Sequence, residues 1–220
     1  MSFLARDFRS ADGTRVPVHA SFARTRVPPR ERTLVLHLHG GLERGRDPAR
    51  LVATGLGARL ARRAIPKTIV LVPQCPRRST WLDLLGPLVE LVADSVRVFG
   101  VDPRRVALTG VSMGGAGAWA LGAEHPGRFA AVAPICGPVP HLRGYPARVR
   151  RLASTPVWAF HGARDHAVPL SSSVTLVHAL LEAGGDARLT VYPDVAHEAW
   201  EPAYDDPAFW AFLRGERAPA

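Results

Sequence analysis

Three side chains able together to transfer an acyl group stand along the chain in the order serine, aspartate, histidine: Ser112, Asp165 and His197. Ser112 is the centre of Gly110-Val111-Ser112-Met113-Gly114, a G-x-S-x-G pattern. It follows an apolar strand-like stretch and precedes a helix-like one, the context this turn requires. The turn holds the serine in a strained backbone conformation, and side chains two positions away on either side would collide with one another and with the neighbouring strand. A serine hydroxyl is a weak nucleophile at neutral pH, so a base and an orienting acid are needed. His197, in Tyr192-Pro193-Asp194-Val195-Ala196-His197, is the expected base. Asp165, in His161-Gly162-Ala163-Arg164-Asp165, is the expected acid, fixing the tautomer of His197 and stabilising the imidazolium. Asp194 is a rival acid, but it stands too close before His197 to form the separate loop this arrangement uses.

Charge developing on a carbonyl oxygen needs at least two donors. The backbone amide of Met113, directly after the serine, is the first expected. The second is expected from His39-Gly40-Gly41, at the amide of Gly41 or, in reserve, of Leu42. Trp81, His141 and Trp200 are candidate pocket residues. His37 reads as a core histidine, His161 as part of the turn that sets up Asp165, and His166 as a surface neighbour of the acid. No two histidines have the spacing of a zinc site on one helix face, so no catalytic metal is expected. Cys75 and Cys136 read as free structural thiols.

These groups need a frame. An Asp12-Gly13 turn joins two strands between Phe8 and Arg24, since Asp-Gly supplies the positive φ a hairpin needs. From Thr33 the pattern changes to short apolar runs alternating with helical stripes. Strands are expected at Thr33–His39, Thr68–Val72, Val106–Thr109, Ala130–Cys136, Val157–Phe160 and Arg188–Tyr192. Between them lie helices: one opened by Asp47-Pro48 and carrying Leu51, Val52, Leu56 and Leu60, then Leu84–Phe99, Ser112–Glu124 and Ser171–Ala183; another opens at Asp206-Pro207. The alternation predicts an α/β fold with a mostly parallel sheet, an N-terminal antiparallel hairpin and helices on both faces.

The 220 residues, 47% of them hydrophobic, suit a single domain spanning 1–220 with a buried core. A net charge of +9 raises nucleic acid as a partner, but Lys67 is the only lysine and the arginines are scattered without interleaved aromatics, a pattern of coding bias rather than of a basic groove. No run approaches a membrane span, and Arg6, Asp7 and Arg9 interrupt the start where a secretory signal would need apolar residues, so a cytoplasmic protein is expected.

The segments LHLHGGLERG from Leu36, PQCPRRSTW from Pro73, DPRRVALTGVSMGG from Asp102, WAFHGARDHAVP from Trp158 and YPDVAHEAWEPAY from Tyr192 resemble the compact α/β-hydrolase esterases. The likeness is to the branch of phospholipase/carboxylesterase-like, polyhydroxybutyrate-depolymerase-like and predicted-peptidase proteins, and runs from about Thr33 to Leu213. It implies a serine carboxylesterase acting on a small-molecule ester without metal or organic cofactor. Leu42 departs from the pattern, standing where many relatives have a third glycine. The stretch Gly137 to Ser154 departs from the likeness as well, and the helix expected after strand Ala130–Cys136 is replaced by only a short segment, with no room for a substantial lid, which favours small or soluble esters. A peptidase using the same triad and a noncatalytic binding protein on the same fold are the competing readings. The natural ester and the oligomeric state are left open.

Overall fold

The computed structural model describes residues 2–22, 26–53 and 55–216. Eight strands form one sheet: β1 (Ser2–Arg9), β2 (Arg15–Phe22), β3 (Thr33–Leu38), β4 (Thr68–Pro73), β5 (Val106–Val111), β6 (Ala131–Ile135), β7 (Val157–Gly162) and β8 (Ala187–Tyr192). Their spatial order is β1-β2-β4-β3-β5-β6-β7-β8. From β4 to β8 every neighbouring pair is parallel, whereas β2 runs antiparallel to both β1 and β4. This is the α/β-hydrolase fold, with the antiparallel hairpin at one edge.

The hairpin turn is wider than Asp-Gly alone would make it. Arg9 pairs with Arg15, and Ser10 N donates to Thr14 O at 3.0 Å. Only Gly13 of the pair has positive φ, and Asp12 instead accepts from Thr14 N and from the Ser10 hydroxyl. The expected end of the hairpin at Arg24 lies outside the described residues.

The central strands are buried along their whole length, and alternation sorts their side chains into two cores. Leu34, Leu36, Leu38, Ile69, Leu71 and Leu108 face the core beneath α3 (Leu85–Phe99), α4 (Met113–Glu124) and α5 (Ser171–Glu182). Val35, Val70, Val72, Ala107 and Phe160 face a core shared with Tyr204, Phe209 and Trp210. Those three come from α6 (Trp200–Asp205) and α7 (Pro207–Leu213).

Two helical expectations need correction. The single helix opened by Asp47 is two, α1 (Pro48–Ala53) and α2 (Gly55–Arg62), with Gly55 at φ 53° where the second begins. The stripe of leucines reads as continuous because both pieces bury their apolar side against the same core. Helix α6 was not expected at all: its six residues carry too short a pattern to register, and Tyr204 and Ala203 are held by tertiary packing. Between β6 and β7 the backbone forms only a 3-10 segment at Ala147–Leu152. Among the described residues, no helix is long and apolar enough to cross a membrane.

Candidate active site

Strand β5 delivers Ser112 at its end, and α4 begins at the next residue. Ser112 has φ 54° and ψ −117°, a region that costs a residue with a side chain of order 1–3 kcal/mol. The flanking glycines make this turn feasible. A Cβ on Gly110 would lie 2.2 Å from Gly114 O, and one on Gly114 would lie 1.9 Å from Leu38 O. Both are backbone contacts, so no side-chain rotation could relieve them.

The loops after β7 and β8 bring the other two groups to this turn. Ser112 Oγ donates to His197 Nε2 at 2.9 Å, and His197 Nδ1 donates to Asp165 Oδ2 at 2.7 Å. The carboxylate is wholly buried while the imidazole is 23% exposed, so the open side of the group is the histidine. Burial pushes the Asp165 carboxyl upward, but the His197 donor and the backbone amides of Val168 and Ala167 outweigh it and hold the group below the ordinary carboxylate range. Both amides reach Oδ1 at 2.9 Å. Asp194 is exposed and pairs with Arg164 at 2.6 Å.

His161 has a more specific place than the turn position expected of it. Its Nε2 lies 3.0 Å from Val168 O, which can only accept, so Nε2 carries a proton. The same atom lies 3.3 Å from Asp165 Oδ2, and Ser173 Oγ reaches Nδ1 at 2.8 Å. The ring is completely buried. His161→Phe removes this donor and leaves Val168 O and the Ser173 hydroxyl unpaired, at roughly 1–3 kcal/mol for each buried group. The expected result is a lower melting temperature together with a fall of about tenfold in kcat at unchanged KM, part of it recovered in His161→Gln, since a charge-assisted hydrogen bond is worth roughly 1.5–3 kcal/mol. Paired melting curves and steady-state kinetics on both variants check this. Equal kcat in the phenylalanine variant and the wild type would remove His161 from the support of Asp165.

The chain after β3 crosses over the serine. A Cβ on Gly40 would stand 3.8 Å from Ser112 Cβ. His39 fixes the path: its Nε2 accepts from Cys75 N at 3.0 Å, so Nδ1 holds the proton and donates to Gly40 O at 2.6 Å. The carbonyl of Gly40 is thereby drawn toward the His39 ring, and the Gly41 N–H on the same trans peptide points the opposite way. Burial, with Arg44 acting in the same direction and the Gly40 carbonyl against it, depresses His39 to about 4. Burial and the neighbouring His39 take His37 to about 3, which fits its reading as a core histidine. Arg44 Nε donates to Gly41 O at 3.0 Å. Gly41, Leu42 and Glu43 form a 3-10 turn, on which Leu42 is 91% exposed.

The three pocket candidates part company. Trp200 stands edge-on to the His197 ring, 5.6 Å between centroids at 90°, and is half-buried beside the site. Trp81 is fully buried, which corrects its reading as a pocket wall. Its Nε1 donates to His39 O at 2.8 Å, and a Cβ added at Gly117 would stand only 2.6 Å from Trp81 Cβ, so the ring is wedged tightly against α4. Large aromatic residues near glycines read as pocket or core alike in sequence. His141 is exposed after β6, and among the described residues no hydrogen bond or ring contact ties it to the serine group.

Both cysteines are free and buried. Burial raises Cys75 to about 12, and it raises Cys136 to about 12 as well, the Ser112 amide acting against it and Asp165 and Glu198 with it. No spacing in the sequence announces a further contact: Cys136 Sγ, a carboxylate oxygen of Asp165 and a ring nitrogen of His197 all lie within 4.8 Å of one another.

The chain is similar to known proteins in sequence and in fold. A carboxymethylenebutenolidase of Yersinia pestis, so named provisionally, is 32% identical over 131 residues, 58% of this chain and 47% of that protein. The chain thus spans about half the length of that relative. The crystal structure of a thermostable esterase superposes with a TM-score of 0.84 at 31% identity, covering 96% of this chain and 62% of that one. Esterase 2 of Thermogutta terrifontis phosphorylated by paraoxon shares the fold, with a TM-score of 0.69 at 17% identity over 99% of this chain and 96% of its own. The sequence profile of the dienelactone hydrolase family matches residues 87–206, a stretch that runs from α3 through Ser112, Asp165 and His197 to α6, and the chain belongs to that family of α/β-hydrolases.

Proposed function

We propose that the chain is a serine carboxylesterase that hydrolyses small or soluble esters through an acyl-enzyme. The observation that carries this reading is the continuous relay from Ser112 Oγ through His197 to the buried Asp165, at 2.9 and 2.7 Å, on a strand-to-helix turn. In this reading His197 Nε2 takes the proton as Ser112 Oγ bonds to the ester carbon, then gives it to the departing alkoxide. Asp165 holds the Nδ1 proton and offsets the imidazolium charge. A water deacylates the serine by the same route in reverse.

The oxyanion would be met by the amide of Met113, the first of α4 and without an intrahelical acceptor, and by that of Gly41, with Leu42 as the reserve. Each donor contributes roughly 3 kcal/mol to the transition state. His39 and Trp81 act only through the backbone they hold.

Substrate size follows from what stands over the serine. The connection between β6 and β7 carries a single 3-10 segment, and the exposed Leu42 offers one apolar contact rather than a channel. A lactone is an ester closed on itself, and the name of the Yersinia relative makes a butenolide a second substrate class to assay. A fluorophosphonate probe should label the wild type and not Ser112→Ala, and p-nitrophenyl acetate and butyrate should turn over faster than the long-chain esters. A wild type that neither labels nor hydrolyses any ester would sink the reading; faster turnover of long acyl chains would sink its substrate size.

A further inference from the structure

The ester-hydrolase reading employs Asp165 and His197 and leaves the third member of their cluster, the Cys136 thiol, without a task. Cys136 follows β6 with φ 41°, a conformation uncommon for a residue with a side chain, and its N donates to Phe160 O at 2.8 Å. The cysteine is fully buried, as is the Asp165 side chain; the His197 side chain, 23% exposed, is the member of the cluster that solvent reaches.

Sulfur, imidazole nitrogen and carboxylate oxygen are the ligand types that zinc(II) takes in tetrahedral sites, with water in a remaining position. Bonds of about 2.3 Å to sulfur and about 2.0 Å to nitrogen and oxygen place tetrahedral ligands roughly 3.3–3.5 Å apart. The His197 Nδ1 to Asp165 Oδ2 separation of 2.7 Å would have to open slightly, and the contacts within the 4.8 Å limit to close slightly. A thiolate and a carboxylate also neutralise the two charges of the ion, so a filled site buries no net charge.

We propose that Cys136, Asp165 and His197 form an inhibitory site for a thiophilic divalent cation, of which zinc(II) is the natural example. The inference rests on the reading of His197 as the base for its effect on turnover, though not for binding. Bonds form from the ion to Cys136 Sγ, an Asp165 oxygen and His197 Nδ1. The S–H bond breaks and its proton goes to solvent, the ring proton leaves Nδ1 and is taken up at Nε2 so that the imidazole binds as the neutral ring, and no electron is transferred. A ring with the cation on Nδ1 carries its proton on Nε2 and has no lone pair there to accept from Ser112, so the serine loses its base. Removal of the ion restores the resting relay.

The test uses the purified full chain, with cobalt(II) as the spectroscopic probe and zinc(II) as the inhibitor. Wild type and Ser112→Ala should both show the near-ultraviolet absorption of a cobalt–thiolate bond, discharged by added zinc. Cys136→Ala and Cys136→Ser should lack the band, and Cys75→Ala should keep it. Zinc should inhibit p-nitrophenyl butyrate hydrolysis reversibly, with chelator restoring the rate. In the Cys136 variants the uninhibited rate should be unchanged, and half-inhibition should need at least about tenfold more zinc. Absence of the cobalt–thiolate band in the wild type overturns the proposal, as does equal zinc sensitivity in a folded Cys136 variant. If neither Cys136 variant folds, the band in the wild type and its survival in Cys75→Ala decide the matter. A band in wild type and Ser112→Ala alongside no esterase activity in any variant would leave the metal site standing and remove the ester-hydrolase reading.

Discussion

Ser112→Ala should lower kcat for a short p-nitrophenyl ester by about 10⁵-fold while the protein melts within a few degrees of the wild type. The size follows from what is lost. On the proposed route the acyl-enzyme cannot form without Oγ, so the whole advantage of splitting hydrolysis into two easier steps disappears. On that route the proposed oxyanion donors and the binding of the ester would remain, and in serine hydrolases these alone exceed the uncatalysed reaction by roughly 10³-fold. The partners of Ser112 stay in place: Asp165 keeps its amides from Ala167 and Val168, and His197 keeps its bond to Asp165. Removing one hydroxyl costs a single hydrogen bond at a half-buried position, about 1 kcal/mol. Active-site-titrated wild type against the variant, on acetate and butyrate esters, measures the ratio. A loss of only tenfold would mean that Ser112 does not attack the carbonyl. Asp165→Asn should fall short of this loss, by about 10⁴-fold, because the serine and the imidazole remain and only the tautomer and charge of the ring are wrong.

The elements that carry Ser112, Asp165 and His197 were legible because each is announced locally. Val106–Thr109 reads as a buried strand from its own side chains, and the glycines at 110 and 114 mark the turn whatever surrounds them. The sequential order of Ser112, Asp165 and His197 did the rest. What stayed hidden depends on pairs of residues far apart in the chain. Strand β3 lies between β4 and β5, and nothing within Thr33–Leu38 states which strands flank it. Trp81 reaches His39 across 42 positions, and a half-exposed tryptophan would look the same in sequence. Cys136 ends an apolar run like any buried residue there; only folding sets its sulfur beside groups contributed by β7 and β8 loops. His161 is the most readable of these partners, since a histidine four positions before an acid, at the end of β7, is close enough to touch it.

A larger structural shock should come from one methyl group at Gly162. This residue ends β7, and the backbone that leads to His197 lies directly on it: a Cβ would stand 2.0 Å from Ala196 O and 2.3 Å from Val195 O. Neither atom belongs to a side chain that could swing away. Arg164 N also holds Val195 O at 3.0 Å, and Ala163 N holds Tyr192 O at 2.9 Å, so the two loops are clamped together just where the methyl must enter. Reaching ordinary contact requires Val195 and Ala196 to retreat by more than 1 Å, and His197 is the next residue. Either its 2.7 Å bond to Asp165 or its 2.9 Å bond to Ser112 must lengthen. A misplacement of about 1 Å costs about 10²-fold in rate, and overpacking of this kind costs about 1–3 kcal/mol in stability. Gly162→Ala is therefore expected to lose at least about 10²-fold in kcat, with little change in KM, and to melt several degrees lower. Gly86→Ala is the matched control: nothing lies within 4 Å of its Cβ, and the position is in α3, so the added methyl should leave kcat alone and raise stability by about 0.5–1 kcal/mol. Full activity in a destabilised Gly162→Ala would show that the His197 loop can shift without disturbing the relay, and the tight register between the β7 and β8 loops would then serve stability rather than turnover.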